Sequence, residues 1–341
     1  MADASAESSG GGRRRGRAAH VVAVVALVAV VAGVWTVVAR ANSGRPSTIA
    51  VGGFPSALVV TPDGRTLYVA NEEDSTVMPV SVATGAPGTP IPVGRDPYAL
   101  AVTPDGRTIY VANFLSATVT PVNVATGRPG RAIGVGKNPY ALAMTPDGRT
   151  LYVSDFDLGA VTPINVASNT AGRPIPVGNN PEALALTPDG RTLYVAVNAQ
   201  QEVVPVDVAT DVAGQPIPLG ENDPVSLVVA PDGRTLYEGC GGVAPLTTNS
   251  VTPIRLPFGV PETAIPVSSE PHALAVAPHG RTLYITDSDG DTVTPVNMAT
   301  GRAEAPITVG DDPLALAVTP DGRTLYVANS QDNNVTVVPL P

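Results

Sequence analysis

The sequence has one cysteine and three histidines among its 341 residues. Cys240 has no partner for an intrachain disulfide, so packing and closure must hold the fold. Three scattered histidines cannot form a His-rich metal centre, and no paired cysteines supply the remaining ligands of a zinc site. Neither Gly-x-Ser-x-Gly nor His-Glu-x-x-His occurs. We therefore predict no metal, no cofactor and no catalytic set.

Charged residues are also scarce, at 15%, and aromatic residues reach only 4%, whereas glycine (34) and proline (36) are abundant. Glycine and proline are spread along the chain, which suits short strands joined by tight turns and does not suit helices. Beyond residue 47 the chain carries 14 basic and 28 acidic residues, a net charge of −14. A domain this acidic is a poor match for nucleic-acid phosphates, so we exclude that partner.

The first 46 residues differ from the rest in composition. Residues 1–20 form a basic tail with Arg13, Arg14, Arg15 and Arg17, and the uncharged residues 21–39 follow it. Nineteen apolar-rich residues are just enough to cross a bilayer, and the arginines predict an N-terminus inside. We expect a transmembrane anchor, a linker at 40–46 and an extracytoplasmic domain at 47–341. The alternative is a cleaved signal peptide followed by secretion.

A repeat organises the remaining chain. The sequence Pro-Asp-Gly-Arg-Thr recurs seven times, with His279 replacing Asp in one copy, at spacings of 42, 42, 42, 43, 47 and 42 residues. Seven copies of this length match the four-stranded blades of a β-propeller. The copies begin at Pro62, Pro104, Pro146, Pro188, Pro231, Pro278 and Pro320.

Each copy is divided into strands A to D by turn residues. In the second copy, strand A is 99–102, strand B 108–112, strand C 118–124 and strand D 132–135. Strand C contains a proline in six copies, which predicts a bulge or a gap in pairing because proline cannot donate to the ladder. The last copy lacks strand D, while an unattached strand at 48–52 precedes the first. We predict that this N-terminal strand completes the seventh blade and removes two open edges.

The copies Leu67–Asn71, Ile109–Asn113 and Leu325–Asn329, each after Pro-Asp-Gly-Arg-Thr, resemble the YVTN family of β-propeller repeats. The likeness covers about 290 residues. It implies an all-β, seven-bladed propeller. Proteins of this kind include cell-surface and periplasmic members and relatives of lactonase-type propellers. The resemblance carries over no catalytic residues.

Positions at which the copies differ are free to specialise. Loops before strand A and after strand B share one face, here called the top face, and most acidic residues outside the turns lie there. Five aromatic residues and two cations fall in top loops of the first three blades, and we predict that they form a binding patch. The competing interpretation is local packing between adjacent loops. These residues are Phe54, Arg95, Tyr98, Phe114, Lys137, Tyr140 and Phe156.

Three functions are compatible with the sequence. We favour a monomeric, membrane-anchored binding or scaffolding module for a protein, peptide or glycan, acting through its acidic top face. The second is a lactonase-like hydrolase at the central funnel, for which only Glu182, Glu270 and His272 offer candidates. The third is a purely structural cell-surface module. Cys240 is expected to be an unreactive thiol in an irregular loop.

Overall fold

The computed structural model describes residues 46–220, 223–241, 249–267 and 271–341. The predicted tail, anchor and most of the linker lie outside these residues, as does Glu270. In the described part of the chain the only helices are four 3-10 turns, none of which could cross a bilayer. The turns are Phe114–Ser116, Phe156–Leu158, Asn198–Gln200 and Ser288–Gly290.

The described residues form seven antiparallel sheets of four or five strands, which are the blades. The N-terminal strand and the first three blades contain β1 (Ser47–Ala50); β2 (Pro55–Val60), β3 (Thr66–Asn71), β4 (Thr76–Ser81), β5 (Ile91–Pro92); β6 (Pro97–Val102), β7 (Thr108–Asn113), β8 (Thr118–Asn123), β9 (Arg128–Pro129), β10 (Ile133–Gly134); β11 (Pro139–Met144), β12 (Thr150–Asp155), β13 (Ala160–Asn165), β14 (Thr170–Ala171) and β15 (Ile175–Pro176).

Blades 4 to 7 repeat this order. They contain β16 (Pro181–Leu186), β17 (Thr192–Val197), β18 (Glu202–Asp207), β19 (Val212–Ala213), β20 (Ile217–Pro218); β21 (Pro224–Val229), β22 (Thr235–Cys240), β23 (Ser250–Arg255), β24 (Val260–Pro261), β25 (Ile265–Pro266); β26 (Pro271–Val276), β27 (Thr282–Asp287), β28 (Thr292–Asn297), β29 (Arg302–Ala303), β30 (Ile307–Thr308); and β31 (Pro313–Val318), β32 (Thr324–Asn329), β33 (Asn334–Pro339).

The predicted closure of the ring is confirmed. Strand β1 pairs with β33 along Ser47↔Val337 to Ala50↔Asn334, so the two ends of the propeller share the seventh blade. Ile49 also packs against the cluster formed by Val80 of blade 1 and Tyr326 of blade 7. The closing strand therefore adds pairing and apolar contact where the ring meets itself.

The proline in strand C causes a pairing gap rather than a bulge in that strand. Strands β7 and β8 pair without a register shift, and Tyr110 lies opposite Pro121. On the other side, the outer strand is split into β9 and β10, and the N–H of Gly130 between them donates to the Pro121 carbonyl at 2.7 Å. The register shifts lie instead in strand A, between Pro97 and Ala99 in blade 2.

The turn between strands A and B explains the repeated motif. Asp105 accepts hydrogen bonds from the Thr103 hydroxyl at 2.6 Å and from the Arg107 backbone at 3.0 Å, while Gly106 adopts a φ of 69°. A non-glycine residue rarely tolerates that conformation, so Pro-Asp-Gly fixes the turn. The Arg107 side chain lies 3.8 Å from Asp105 and is 84% exposed. Such exposed pairs contribute little stability.

The core lies between blades, in seven apolar clusters that each join two neighbours. Leu151 and Val153 of blade 3, for example, pack against Tyr110 and Val119 of blade 2. Strand A of each blade contacts strand A of its neighbours around the ring, so these seven strands are the inner strands. The first residues of each inner strand lie at the top mouth of the central channel. The seven strand-B tyrosines are buried as expected: Tyr68, Tyr110, Tyr152, Tyr194, Tyr237, Tyr284 and Tyr326.

Candidate binding surface on the top face

Four of the predicted aromatic residues meet on top of blades 2 and 3. Tyr98 and Tyr140 are the second residues of β6 and β11, while Phe114 and Phe156 begin the 3-10 turns after β7 and β12. All four side chains are partly exposed. We call Tyr98, Phe114, Tyr140 and Phe156 the aromatic patch.

The rings of the aromatic patch contact one another in a continuous row. The Tyr98 and Tyr140 ring centroids are 4.5 Å apart, and their hydroxyl oxygens form a 2.9 Å hydrogen bond. Phe114 lies 5.7 Å from Tyr98 and Phe156 lies 5.5 Å from Tyr140. These distances fall in the range of favourable aromatic pairs. The tyrosines thus pack on each other and still present part of their surface to solvent.

The backbone before each inner strand fixes where the patch residues stand. Asp96 and Asn138 adopt positive φ values of 61° and 55°, which short polar side chains tolerate, and a buried proline follows each of them. Gly136 lies two residues before Asn138, and a Cβ at this position would lie 2.5 Å from the Asp155 Cγ. Only glycine allows this loop to cross the end of β12 so closely.

The other three predicted residues lie on the same face but outside the row of rings. Phe54 has a φ of 51°, its N–H donates to Asn333 at 2.8 Å, and none of the ring contacts seen among the described residues includes it. Arg95 is exposed, and its guanidinium lies 3.5 Å from the Leu115 carbonyl. Lys137 is also exposed, and neither cation forms an ion pair with a described residue.

The sequence places acidic residues on this face but does not by itself single out Glu72, Asp96 or the two leucines as neighbours of the patch. Leu115 and Leu158 are 56% and 52% exposed beside the phenylalanines. Glu72 and Asp96 lie together, and burial, followed by the charge of Asp96, raises the pKa of Glu72 to about 7. Aligning the seven copies reveals Glu72 as the blade 1 counterpart of Phe114 and Phe156. Once the patch residues are known, the repeat alignment therefore indicates that Glu72 lies beside them.

The second residues of the inner strands form a ring at the channel mouth. Glu182 and His272, the two described hydrolase candidates, both belong to it, but they stand two blades apart. His272 Nδ1 lies 2.8 Å from the Leu314 carbonyl, and the Ser56 hydroxyl donates to the Pro97 carbonyl at 2.8 Å. The ring comprises Ser56, Tyr98, Tyr140, Glu182, Val225, His272 and Leu314. In the part of the chain that the structure describes, no three acidic, His or Cys residues are grouped to hold a metal ion.

The expected position of Cys240 in an irregular loop is wrong. It is the last residue of β22 and is fully buried, not part of an irregular loop. Burial, together with the charge of Glu238, raises the pKa of its thiol to about 11. A thiol held protonated in this way is a poor nucleophile.

Glu238 itself was not singled out from the sequence. It occupies a column that is Val or Ile in every other blade, and it is fully buried. Neither carboxyl oxygen has a hydrogen-bond partner of good geometry in the part of the chain that the structure describes. Burial raises the pKa of Glu238 to about 7, and Thr252 on the neighbouring strand partly offsets the rise.

The family comparisons agree with this architecture. The model "Lactonase, 7-bladed beta-propeller" matches residues 169–341, which is half of the chain. The chain belongs to the lactonase-type seven-bladed β-propeller family. A second model, "YNCE-like beta-propeller", matches residues 18–160. The narrower YVTN assignment stays a prediction.

This lactonase-type propeller is also similar to a solved structure, Kuenenia stuttgartiensis hydrazine synthase. The identity is 25%, the TM-score is 0.79, and the match covers 86% of this chain and 97% of the other. No curated protein matches the sequence.

Proposed function

We propose that this protein is a binding or scaffolding module whose top face engages a protein, peptide or glycan through the aromatic patch. The observation that carries the proposal is the row of four partly exposed rings, flanked by two exposed leucines, on one side of the ring of blades. Apolar and aromatic side chains grouped at a surface are typical of interaction sites. Aromatic anchors bury large area while few rotatable bonds become fixed.

The experiment is affinity capture on the immobilised full chain, comparing three versions. The first is unaltered, the second carries Tyr98→Ala and Tyr140→Ala, and the third carries Phe258→Ala. Phe258 is a matched control because it is 78% exposed and lies in the C–D turn on the opposite face. We expect the tyrosine variant alone to lose specific partners. Equal capture by all three versions would remove the top face as the binding surface.

A second candidate is hydrolysis at the channel mouth, as in a lactonase-like enzyme. Membership of the lactonase-type family favours it, and so does the presence of Glu182 and His272 in the same ring of inner-strand residues. The discriminating assay measures lactone hydrolysis by the full chain and by Glu182→Gln and His272→Ala variants. Activity that both substitutions abolish would support the enzyme and count against a pure binding role.

We further propose that the propeller is extracytoplasmic and held at the membrane by residues 21–39. The support is the sequence alone, namely an uncharged segment preceded by four arginines. Extraction of the cell membrane at alkaline pH should leave the protein in the pellet. A mature N-terminus at Asn42 would show instead that the segment is a cleaved signal and that the protein is secreted.

A further inference from the structure

The aromatic patch lies between acidic side chains on both sides along the ring. Glu72 of blade 1 stands where blades 2 and 3 have Phe114 and Phe156. Glu182 of blade 4 stands where they have Tyr98 and Tyr140. The row of rings thus begins and ends at a carboxylate. The arrangement arises because blades 1 and 4 each have a glutamate at a position where blades 2 and 3 have aromatic residues.

These carboxylates act on the patch itself. Burial is the main reason that the pKa of Tyr98 is raised, and the negative charges of Glu72, Glu182 and Asp96 raise it further. A hydrogen bond with Tyr140 partly offsets the rise. The charged side chains that influence the Tyr98 hydroxyl are therefore acidic, although Arg95 and Lys137 lie on the same face.

The Glu72 and Asp96 carboxyl groups lie together at one end of the patch. Glu72 Oε2 and Asp96 Oδ1 are shielded from solvent and have no other hydrogen-bond partner among the described residues. Ionising both groups costs free energy, unless one of them keeps its proton or a cation lies nearby. A positively charged ligand group beside the patch would lower this cost through its charge, without contact with the shielded oxygens.

We propose that the occupant of the aromatic patch is a basic peptide segment of a partner protein, with a lysine or arginine side chain placed against Tyr98 and Tyr140. This inference rests on the proposed binding function and names the partner's chemistry. Aromatic faces attract ammonium and guanidinium groups, and the flanking carboxylates add direct charge complementarity. The aliphatic stem of the same side chain can cover apolar surface on the phenylalanines.

The exposed leucines favour a peptide over a small free cation. Leu115 and Leu158 are more than half exposed and adjoin Phe114 and Phe156 in the same 3-10 turns. A peptide can bury these side chains with its own apolar residues. A compact, strongly hydrated polyamine leaves them in water. The surface therefore matches a segment that combines basic and apolar residues.

The test uses two capped peptides, Gly-Leu-Lys-Leu-Gly and Gly-Leu-Glu-Leu-Gly, together with spermidine, titrated calorimetrically into the full chain at low salt. We expect the lysine peptide to bind at least about 10-fold more tightly than the glutamate peptide, and its affinity to fall as salt is added. The Glu72→Gln, Glu182→Gln variant should reduce that preference to about 3-fold or less. Glu304→Gln, an exposed carboxylate on the outer edge of blade 6, is the matched control and should keep the preference.

Each other result overturns a distinct part of the argument. Equal or tighter binding of the glutamate peptide, lost in the Tyr98→Ala, Tyr140→Ala variant, would leave the patch as a binding site and make its ligand acidic. Spermidine binding as tight as the lysine peptide would replace a protein partner by a free polyamine. A lysine preference unchanged by the double glutamine variant would remove the carboxylates as its cause. If nothing binds and no partner depends on the two tyrosines, the proposed function fails as well.

Discussion

Replacing Glu238 by valine should stabilise the propeller, and the gain should depend on pH. The other six blades place Val69, Val111, Val153, Val195, Ile285 and Val327 at this buried position, so valine fits the local packing. Burial raises the pKa of the Glu238 carboxyl from 4.5 to about 7. At about 1.4 kcal/mol per pKa unit, ionisation of this group costs the folded state on the order of 3 kcal/mol.

The direction of the pH effect follows from proton linkage. The pKa of Glu238 is higher in the folded state than in the unfolded state, so the folded state favours the protonated carboxyl. The contribution of this protonation to the free energy of unfolding is complete below pH 4.5. That contribution is lost as the pH rises through about 7. The stability difference between Glu238→Val and the unaltered chain should therefore grow by about 3 kcal/mol from pH 4.5 to pH 8.

Urea unfolding followed by circular dichroism measures this difference. The only tryptophan is Trp35, outside the propeller, so tryptophan fluorescence does not report on the blades. Glu238→Gln is the matched control because it keeps the size of the side chain and removes the ionisation. It should remove the same pH dependence, although a buried amide keeps part of the cost. An advantage of Glu238→Val that is equal at pH 4.5 and pH 8 would refute the reasoning.

Other regions give further expectations. Deleting residues 47–53 removes β1 and should lower the melting temperature by at least about 5 °C, because β33 keeps β32 but loses its outer partner and Ile49 leaves the closing cluster; unchanged melting would contradict the closure. Asp155→Asn matches the asparagine found here in blades 1, 2 and 7, and burial raises the pKa of Asp155 to about 6. Its folded pKa is raised, so the substitution should stabilise the protein more at pH 8 than at pH 4, by about 1–3 kcal/mol in urea unfolding. Ser56→Ala should cost about 1 kcal/mol in the same assay because the 2.8 Å bond to the Pro97 carbonyl is lost, whereas no change would show that this bond contributes nothing.

The ring could be predicted from the sequence because the turn residues, the repeat length and the strands at the two ends all indicate the same fold. Seven turns with proline, aspartate and glycine set the blade length, and the missing final strand predicted the pairing of β1 with β33. The outer strands were less predictable. Their division into β9 and β10 depends on the hydrogen bond from the Gly130 N–H to the Pro121 carbonyl, a cross-strand contact that the spacing of the turns does not specify.

The candidate site could be predicted only in part. Tyr98 and Tyr140 shared one column on neighbouring blades, so their contact followed from the repeat. Phe54 shares the face, but its ring does not join the described row, because it occupies the column of Asp96 and Asn138, directly before the inner strand, and not a column that supplies the rings. Glu238 stands out only when the seven copies are aligned, because its column is valine or isoleucine in the other six blades, and the structure adds that its carboxyl lies in the core.

The most direct test of the account compares the affinity of a captured partner for the unaltered chain and for the Tyr98→Ala, Tyr140→Ala variant, with urea unfolding of both. We predict that binding weakens by about 2 kcal/mol or more, roughly 30-fold in the dissociation constant, while the folded fraction stays nearly the same. If the variant unfolds while affinity per folded molecule is unchanged, the two tyrosines are packing residues and the top-face patch is not the binding surface.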